Sequence, residues 1–195
     1  QQTFAAMAVF AGGFTLDAVA AVCVDGDEMA ALDGVTRLVD ASLVVAEPRE
    51  GERATRYRML ETVRQYAAER LREAGRTEAT RTAHAQFFRR LAERAEPELT
   101  GADQASWFAR LDDEHANFVA ALDHLARLTH ASADNPSLLE FTVALTRFWY
   151  VRGHLTGARQ TLERALKESG AAPLPLRRRG LTAAASIARP SVESL

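Results

Sequence analysis

The hydrophobic pattern changes from a helical to an alternating period in one segment, Ser42-Leu-Val-Val-Ala-Glu-Pro-Arg-Glu-Gly-Glu-Arg-Ala-Thr-Arg-Tyr-Arg-Met59. Residues 42–46 are apolar and β-prone, and residues 55–59 alternate as a half-buried strand does. The residues between them, 47–53, are charged and include proline and glycine, which predicts a turn. We therefore expect a β-hairpin with an exposed tip.

Helical patterns lie on both sides of this hairpin. Three precede it, at 3–10, 16–24 and 28–40; the first stops at Gly12-Gly13 and the second follows Thr15 as its N-cap. The third has one apolar face, formed by Met29, Leu32, Val35 (or Thr36) and Val39. A fourth helix, 61–74, follows the hairpin and ends at Gly75. Three helices followed by a hairpin is the order of a winged helix, which we predict for residues 1–75.

After Gly75 the pattern is helical only, at 78–96, 105–128, 138–152 and 155–168. The first of these helices is expected to end before Pro97, and the last two to form an antiparallel hairpin through Gly153-His154. Successive helical hairpins favour a solenoid over residues 76–170. Residues 171–195 are expected to be the start of a further helix or a frayed tail, with Arg177-Arg-Arg179 solvated. The predicted fold class is therefore mainly α.

The composition excludes several classes of protein. The chain has 195 residues, a net charge of −2 and one cysteine, Cys23. A lone cysteine excludes an internal disulfide framework and fits a reducing, cytoplasmic setting. No apolar stretch approaches the roughly 20 residues that a membrane span needs. Of 24 basic residues only Lys167 is a lysine, and most of the arginines are interleaved with glutamate, which predicts ion-paired helix surfaces.

The sequence carries no catalytic motif: it lacks a phosphate-binding loop, a dinucleotide fingerprint, a nucleophile elbow and a zinc-protease motif. Asp112-Asp-Glu-His115 is the one cluster that resembles a metal site, but adjacent helical residues point about 100° apart and cannot converge on one ion. We expect a polar helix face there, and we expect Cys23 to pack as a small apolar residue. The prediction is a protein without catalytic or metal-binding residues. A hydrolase that uses Asp112, Asp113 and His115 would instead need a bound metal.

A winged helix suggests DNA binding through its third helix, which enters the major groove. Residues 25–40 carry a local charge of about −4, which DNA phosphates repel. The charged residues are Asp25, Asp27, Glu28, Asp33 and Asp40 against Arg37 alone. We expect Arg56 and Arg58 to lie on a solvated strand face, and the tip arginines to be offset by glutamates. The charge therefore favours protein contact, with a direct DNA-binding transcription factor as the alternative.

Several segments occur in an order that resembles a known family. They are Met7-Ala-Val-Phe-Ala-Gly-Gly-Phe-Thr-Leu-Asp17, Arg37-Leu-Val-Asp-Ala-Ser-Leu-Val44 and Arg56-Tyr-Arg-Met-Leu-Glu-Thr-Val-Arg-Gln-Tyr-Ala67, followed by Trp107, Leu111, Glu114-His115, Asn117 and Ala121-Leu122. This series resembles the region after the nucleotide-binding domain in bacterial signal-transduction ATPases of the NB-ARC/STAND class, including LuxR-family transcriptional regulators. The resemblance covers about residues 4–168.

The resemblance implies a winged helix packed against an upstream P-loop ATPase domain and followed by TPR-like helical repeats that sense a ligand or partner. ATP or ADP would bind to that upstream domain, and this chain itself would hold no cofactor. A separate helix-turn-helix module often binds the DNA in this family, so DNA would be contacted only indirectly. Because neither module lies within these 195 residues, we expect a cytoplasmic fragment of a longer regulator.

In NB-ARC ATPases a Met-His-Asp motif lies where the last strand of the winged helix meets its final helix, and its histidine contacts the nucleotide's phosphate. Met59-Leu60-Glu61 matches this position, with leucine in place of the histidine and glutamate in place of the aspartate. Leucine cannot donate a hydrogen bond, and we expect Leu60 to be a core residue that closes the sheet. Glu61, Arg64 and Arg37 are added because they flank the motif. The candidates for contact with the nucleotide-binding domain are therefore Arg37, Met59, Leu60, Glu61 and Arg64.

A second match is to the TPR pattern. Its Leu, Tyr, Ala, Phe and Ala positions correspond to Leu145, Trp149, Ala158, Leu162 and Ala165, although any packed helical hairpin can show similar spacing. Thr146 stands where the pattern prefers glycine. The expected function is therefore non-catalytic and regulatory. The winged helix would couple the nucleotide state to a helical array, which would bind a protein or small-ligand effector on its concave face.

Overall fold

The computed structural model describes residues 2–49, 54–131 and 136–188, which form ten α-helices and one two-stranded sheet. The helices are α1 (Gln2–Ala6), α2 (Leu16–Cys23), α3 (Glu28–Asp40), α4 (Glu61–Glu73), α5 (Thr77–Glu98), α6 (Gln104–Asp113), α7 (His115–Ala131), α8 (Ser137–Arg152), α9 (Leu155–Glu168) and α10 (Leu174–Ala188). A 3-10 turn, Met7–Val9, follows α1, and the strands are β1 (Val44–Glu47) and β2 (Arg56–Met59). Most of the predicted hairpin tip, residues 132–135 between the predicted helices 105–128 and 138–152, and the tail beyond 188 lie outside the described residues.

The chain divides into two compact units. The N-terminal unit contains residues 1–88 and 113–121, and the C-terminal unit contains residues 89–112 and 122–195. The predicted fold class is confirmed: N-terminal helices with a β-hairpin form a winged helix, and packed helices follow. The domain limits 1–75, 76–170 and 171–195 stay a prediction. Within the described ranges, every helix is too short or too polar to cross a bilayer.

The β-hairpin forms as predicted, with β1 antiparallel to β2. Phe14 forms an antiparallel β-bridge with Tyr57 of β2. Its N–H donates to the Tyr57 carbonyl at 2.9 Å, and its own carbonyl accepts from the Tyr57 N–H at 2.8 Å. A Cβ on Gly13 would lie 3.1 Å from that same Tyr57 carbonyl oxygen. The glycine at this position therefore lets the chain after the first helical segment approach the sheet.

Aromatic side chains form the centre of the N-terminal unit. The rings of Phe10 and Phe14 lie 5.0 Å apart, and Phe88 meets Phe118 edge to face at 5.9 Å. Phe10 also contacts Phe88 edge to face, so the four rings form one continuous cluster. All four are almost fully buried. The core of this unit thus includes side chains from α5 and α7 as well as from the winged helix.

Helix α3 has the predicted limits, and Val35 is buried as predicted, but Met29 and Leu32 are not. Met29 and Leu32 are 68% and 42% exposed, whereas Ala31 and Val35 are buried. Helices α1 and α2 both pack on α3, whose buried residues, Ala31 and Val35, are small enough to permit close approach of the helices. The larger apolar side chains of α3 are left on its outer surface.

Thr15 is the N-cap residue of α2, as predicted, but its hydroxyl hydrogen-bonds the Asp17 carboxylate and makes no cap bond to the first turn of the helix. One helix end differs from prediction. Helix α5 runs through Pro97 to Glu98 instead of ending before the proline. A proline in the last turn removes a single backbone hydrogen bond. Because the helix ends one residue later, the loss of stability is small.

The predicted helix 105–128 is in fact two helices, α6 and α7, separated at Glu114. Leu111 and Phe118, on either side of the break, are both buried and keep helical spacing. The apolar period therefore continues across the break, which is why the sequence indicates one helix. Glu114 is only 3% exposed, and its contacts are described below.

In the C-terminal unit, α8 and α9 pack as the predicted helical hairpin, and Gly153 ends α8 with φ +77°. Of the two alternatives for the tail, the further helix is the one observed within the described residues: residues 174–188 form α10, which packs on both α8 and α9. A Cβ on Gly180 would lie 2.9 Å from Leu139 and 2.9 Å from Leu166. The buried residues of α10 are Gly180, Ala183 and Ile187. These mostly small residues make no long apolar stripe, which is why the sequence pattern leaves a further helix and a frayed tail as alternatives.

Candidate functional site

The segment Met59-Leu60-Glu61 lies where β2 ends and α4 begins, as the family motif requires. A groove of about 430 Å³ lies against it, with the Gly12-Gly13 loop on one side and residues 58–64 on the other. The residues that line it are Met7, Phe10, Gly12, Gly13, Phe14, Arg58, Met59, Leu60, Glu61 and Arg64. This groove, called the 59–64 groove below, brings together four of the five residues predicted to face the nucleotide-binding domain.

Glu61 and Arg64 form a forked ion pair in the first turn of α4. The Glu61 carboxylate accepts from Nε and Nη2 of Arg64 at 2.9 and 2.8 Å, and from Nε2 of Gln65 at 3.1 Å. These hydrogen bonds lower the pKa of Glu61, and the same carboxylate raises the pKa of Arg64. A carboxylate at this end of the helix also interacts favourably with the helix dipole.

Leu60 is not a core residue, contrary to prediction, because its side chain is 49% exposed. Met59 takes the buried position instead, at 7% exposure. Successive residues of an extended chain point to opposite sides, so an inward Met59 turns Leu60 outward. Leu60 therefore presents an apolar side chain at the rim of the 59–64 groove.

Arg37 lies elsewhere in the N-terminal unit. It lines a second groove, of about 760 Å³, between α1, α3 and α4, together with residues such as Phe4 and Tyr66. Its guanidinium lies 3.9 Å from the Asp33 carboxylate on the exposed surface of α3. The structure thus separates Arg37 from the other four candidates.

A buried ion pair links β2 to the segment between α6 and α7. Arg56 and Glu114 are 7% and 3% exposed, and their side chains form two contacts, Nη1 to Oε1 at 2.5 Å and Nη2 to Oε2 at 3.4 Å. The expectation of a solvated strand face is therefore wrong for Arg56. The Arg56 side chain lies against Gly13, which has no side chain to displace it, and a buried carboxylate compensates its charge.

Asn117 extends this ion pair into a buried polar network. Its Nδ2 donates to Glu114 Oε2 at 2.7 Å and to the Gly13 carbonyl at 2.8 Å. Its Oδ1 accepts from the Ala11 N–H at 2.8 Å and lies 3.3 Å from Nε2 of His84. The network fixes the glycine loop that borders the 59–64 groove. Glu114 and Asn117 belong to the family series, but no local pattern in the sequence indicates their contacts.

The cluster Asp112-Asp-Glu-His115 does not form one polar helix face. In the C-terminal unit, Asp112 accepts from Arg152 at 3.0 and 2.5 Å. In the N-terminal unit, Asp113 lies 3.4 Å from Arg49, and Glu114 is the buried partner described above. Each carboxylate is thus bonded to a different arginine. Across the part of the chain that the structure describes, no three His, Cys, Asp or Glu side chains are placed to hold a metal ion.

The outer surface of α3 and the turn before it are strongly acidic. The exposed residues of this surface, called the acidic α3 face below, are Asp25, Asp27, Glu28, Met29, Leu32, Asp33, Arg37 and Asp40. The Asp27 carboxylate caps the helix by accepting from the Ala30 N–H at 2.9 Å. The other carboxylates lie in solvent beside two exposed apolar side chains.

The five residues assigned to the TPR pattern are all buried in the C-terminal unit. Their side chains are at most 5% exposed, and they are Leu145, Trp149, Ala158, Leu162 and Ala165. Alanine at two of the positions allows α8 and α9 to pack closely. The assignment of a TPR-like repeat stays a prediction, because any close helical hairpin buries such residues.

Cys23 lies at the end of α2 and is a buried, free cysteine. Burial raises the pKa of its thiol to about 12, and the positive charge of Arg76 opposes this only in part. The thiol is therefore neutral near pH 7, which gives it no nucleophilic character.

Comparisons with known proteins agree with the N-terminal fold. Residues 2–72 match the sequence profile of a family described as a winged helix-turn-helix domain. The chain is 36% identical over 164 residues to "Putative HTH-type transcriptional regulator Rv0890c" of Mycobacterium tuberculosis (strain H37Rv) and to its Mycobacterium bovis counterpart Mb0914c. The match covers 80% of this chain and 17% of each regulator, so the chain spans about 17% of the length of these relatives.

A shorter match is 42% identical over 76 residues to "Uncharacterized protein Rv0894" of Mycobacterium tuberculosis, covering 37% of this chain and 19% of that protein. No solved structure matches the chain. The N-terminal part of the chain is thus a winged helix-turn-helix domain, and the chain is distantly related to transcriptional regulators.

Proposed function

We propose that this chain is a non-catalytic, regulatory part of a transcriptional regulator, and that its winged helix contacts protein instead of DNA. The observation that carries this proposal is the acidic α3 face. In DNA-binding winged helices the third helix enters the major groove, and Lys and Arg supply most of the affinity for phosphates. Here that helix and the turn before it expose five carboxylates and one arginine. Such a surface repels a DNA backbone.

The apolar residues of the acidic α3 face support a protein partner. Met29 and Leu32 lie exposed between the carboxylates, at 68% and 42% of their full surface. Exposed apolar side chains surrounded by charged ones are typical of surfaces that bind other proteins. The face therefore suits a partner that offers apolar contacts and positive charge.

The hairpin adds little positive charge for DNA. Arg58 lies 3.1 Å from Glu47, Arg49 lies 3.4 Å from Asp113, and Arg56 is buried against Glu114. Among the described hairpin residues, each arginine is already paired with a carboxylate. The wing would have to break these ion pairs before it could bind phosphates.

The 59–64 groove supports contact with an upstream nucleotide-binding domain, which the family resemblance implies. Direct phosphate binding does not fit its side chains, because Leu60 has no donor and Arg64 is held by Glu61. An apolar residue at the rim and a fixed ion pair suit a protein surface better. We propose that the groove contacts the ATPase domain as protein, and that the C-terminal helices bind the effector.

Binding of duplex DNA by the whole 195-residue chain tests the first part of the proposal. Fluorescence anisotropy with a labelled mixed-sequence duplex of about 30 base pairs at low salt is expected to show no submicromolar binding. A variant with Glu28→Lys, Asp33→Lys and Asp40→Lys is expected to gain salt-sensitive binding, which controls for the assay. Submicromolar binding by the unchanged chain that weakens steeply with salt would identify a DNA-binding winged helix instead.

The ATPase rate of the full-length regulator tests the second part. The charge reversals Glu61→Arg and Arg64→Glu are each expected to change the ATPase rate or its activation. The double reversal is expected to bring both part of the way back to the values of the unchanged regulator. The matched reversals Glu73→Arg and Arg70→Glu, in the exposed ion pair on the same helix, are expected to have no effect. The assignment fails if the reversals at 61 and 64 behave like the controls.

A further inference from the structure

The C-terminal unit contains a basic groove between α8 and α10. Its volume is about 880 Å³, and its lining includes Arg147 and Tyr150 of α8 and Arg178, Arg179 and Thr182 of α10. We propose that this groove, called the α8–α10 groove below, binds an extended acidic peptide segment of a partner protein. The inference rests on the proposed regulatory function and names the class of effector that the helical array recognises.

Charge is the first argument for an acidic ligand. Three arginines and one carboxylate, Glu96, line the groove. Glu96 is occupied by Arg179, whose Nη2 lies 2.6 and 2.7 Å from its two oxygens. The other two arginines of the groove, Arg147 and Arg178, form no ion pair with a carboxylate in the described parts of the chain. The guanidinium fork matches the geometry of a carboxylate, so each of these arginines can take a carboxylate from a ligand.

Rigidity is the second argument, because a fixed groove loses little entropy when it binds a ligand. Nε of Arg147 donates to the Leu99 carbonyl at 3.0 Å, which orients its guanidinium. Gly180 brings α10 into direct contact with α8 and α9, and this contact sets the position of Arg178 two residues earlier. The guanidinium of Arg147 and the backbone that carries Arg178 are therefore fixed, one on each of the two helices that border the groove.

The shape of the groove favours a peptide over a small metabolite. It is an open trough, whereas small-molecule sites enclose most of the ligand surface. Its α10 wall runs from Pro175 to Ser186, which at 1.5 Å per residue is about 16 Å, the length of roughly five extended residues. Val143 and Ala183 give it an apolar floor, and Tyr150 is 44% exposed beside them. An alternation of acidic and apolar side chains fits such a surface.

Nucleic acid fits the same groove less well. Nucleic-acid affinity comes from neutralising many phosphates in a row, and this groove offers two arginines without a carboxylate partner in the described chain. Glu96 also places a carboxylate in the lining, where a phosphate backbone would pass. An acidic peptide needs only one or two ion pairs with apolar contacts between them.

Fluorescence anisotropy of the whole chain with a labelled peptide tests the proposal. The probe is Glu-Leu-Glu-Glu-Leu-Glu, and the comparison peptide is Gln-Leu-Gln-Gln-Leu-Gln. The acidic peptide is expected to bind at least about tenfold more tightly. Arg147→Gln and Arg178→Gln are each expected to weaken its binding about three- to fivefold. The matched control Arg159→Gln, on the exposed surface of α9 and outside the groove, is expected to leave it unchanged.

A second pair of variants separates groove chemistry from net charge. Glu96→Gln releases Arg179 inside the groove and is expected to strengthen binding about threefold. Glu163→Gln makes the same change in net charge outside the groove and is expected to have no effect. Equal responses of the two variants would overturn the proposal, since they would reflect overall charge alone.

Three further results would overturn the proposal: equal affinity for the two peptides, full competition by an equal concentration of free glutamate, or tighter binding of a single-stranded oligonucleotide. The second result would assign the groove to a small carboxylate, and the third to nucleic acid. Failure here is distinguishable from failure of the proposed function, because duplex-DNA binding and the Glu61 and Arg64 reversals are measured separately. A chain that binds neither peptide nor duplex DNA loses this inference and keeps the regulatory proposal.

Discussion

The contact between β2 and Glu114 and the outer surface of α4 use the same pair of residues, arginine with glutamate, in opposite settings. Arg56 and Glu114 are 58 residues apart in sequence and almost fully buried. Arg70 and Glu73 are one helical turn apart, and their side chains are 45% and 52% exposed. Both pairs look equally favourable if only the contact distance is considered, at 2.5 and 2.6 Å.

The difference between the two pairs lies in solvent. Water screens the exposed pair and solvates either partner alone, so it contributes about 0–1 kcal/mol. The buried pair has lost its hydration, and each charge depends on the other. The distance between the charged atoms therefore does not rank the contributions of ion pairs to the stability of this molecule. Burial does, and it makes Glu114 a structural residue of the N-terminal unit although it lies beyond the winged-helix segment in sequence.

Replacing Glu114 with alanine is expected to produce the largest effect on stability. The substitution leaves the Arg56 guanidinium buried without its counter-charge, which costs about 3–5 kcal/mol of unfolding free energy. Glu73→Ala removes the corresponding partner of the exposed pair and is expected to cost about 0–1 kcal/mol. Urea unfolding followed by circular dichroism measures both. Similar small losses in the two variants would show that the comparison is wrong and that water reaches Arg56.

Removing the charges of both Arg56 and Glu114 separates the effect of an unpaired buried charge from that of the lost ion pair. The double variant Arg56→Met, Glu114→Leu takes away the ion pair without leaving either charge alone, and Asn117 keeps its hydrogen bonds to Ala11 and Gly13. We expect its unfolding free energy to lie within about 1–2 kcal/mol of that of the unchanged chain. A double-mutant cycle with Arg56→Met and Glu114→Leu gives the coupling. If the double variant is as unstable as Glu114→Ala, the lost hydrogen bonds account for the loss, not an unpaired charge.

Elements that depend on local signals could be predicted from the sequence. The hairpin follows from the change of period at 42–59, and the α8–α9 hairpin from its apolar stripes and from Gly153, which has φ +77°. The position of Met59-Leu60-Glu61 between strand and helix was likewise predictable. The direction of Leu60 was not recognised, although the alternation of an extended chain places it opposite Met59.

Features that depend on distant contacts could not be predicted. The buried pair joins residues 56 and 114, and no local pattern shows that a strand arginine has a partner in another element. The break at Glu114 is hidden because apolar spacing continues from Leu111 to Phe118. Helix α10 is only weakly indicated, for the opposite reason: close helix packing there uses glycine and alanine, so little apolar periodicity remains to distinguish a helix from a frayed tail.

Cys23 is a buried ionisable group that, unlike Arg56 and Glu114, forms no ion pair within the described ranges. Burial raises the pKa of its thiol from 9.0 to about 12. The unfolded chain releases this proton near pH 9 and the folded chain retains it, so the free energy of unfolding is unaffected below that pH. Above it, stability is expected to fall by up to about 1.4 kcal/mol per pH unit.

Urea unfolding of the unchanged chain and of Cys23→Ala, at pH values on either side of 9.0, measures this contribution as the difference between their slopes. Alanine cannot titrate, so the variant lacks the term while every other group keeps it. Parallel pH dependence in the two proteins would mean that the thiol is hydrated in the folded state. The prediction, and with it the rule that burial dominates, would then fail for this residue.

The pair Glu61–Arg64 gives the smallest expected effect on stability, because the Glu61 side chain is 62% exposed. Hydrogen bonds from Arg64 and Gln65 lower the pKa of its carboxyl below the ordinary value of 4.5. A lowered pKa stabilises the folded state above pH 4.5, and that contribution is lost as the pH falls through the lowered value. Solvent screening keeps the contribution too small to appear in unfolding experiments, so the pKa itself must be measured.

Carbon-detected NMR titration of the Glu61 carboxyl makes that measurement. Its pKa is expected to lie below 4.5 in the unchanged chain and to rise toward 4.5 in Arg64→Gln, while the melting temperatures of the two proteins agree. Arg70→Gln, on the same helix, should leave the Glu61 titration unchanged. A Glu61 that titrates at 4.5 would show that Arg64 does not hold it in solution. Arg64 would then be a donor available to a phosphate, and the proposal that the 59–64 groove contacts only protein would lose its electrostatic basis.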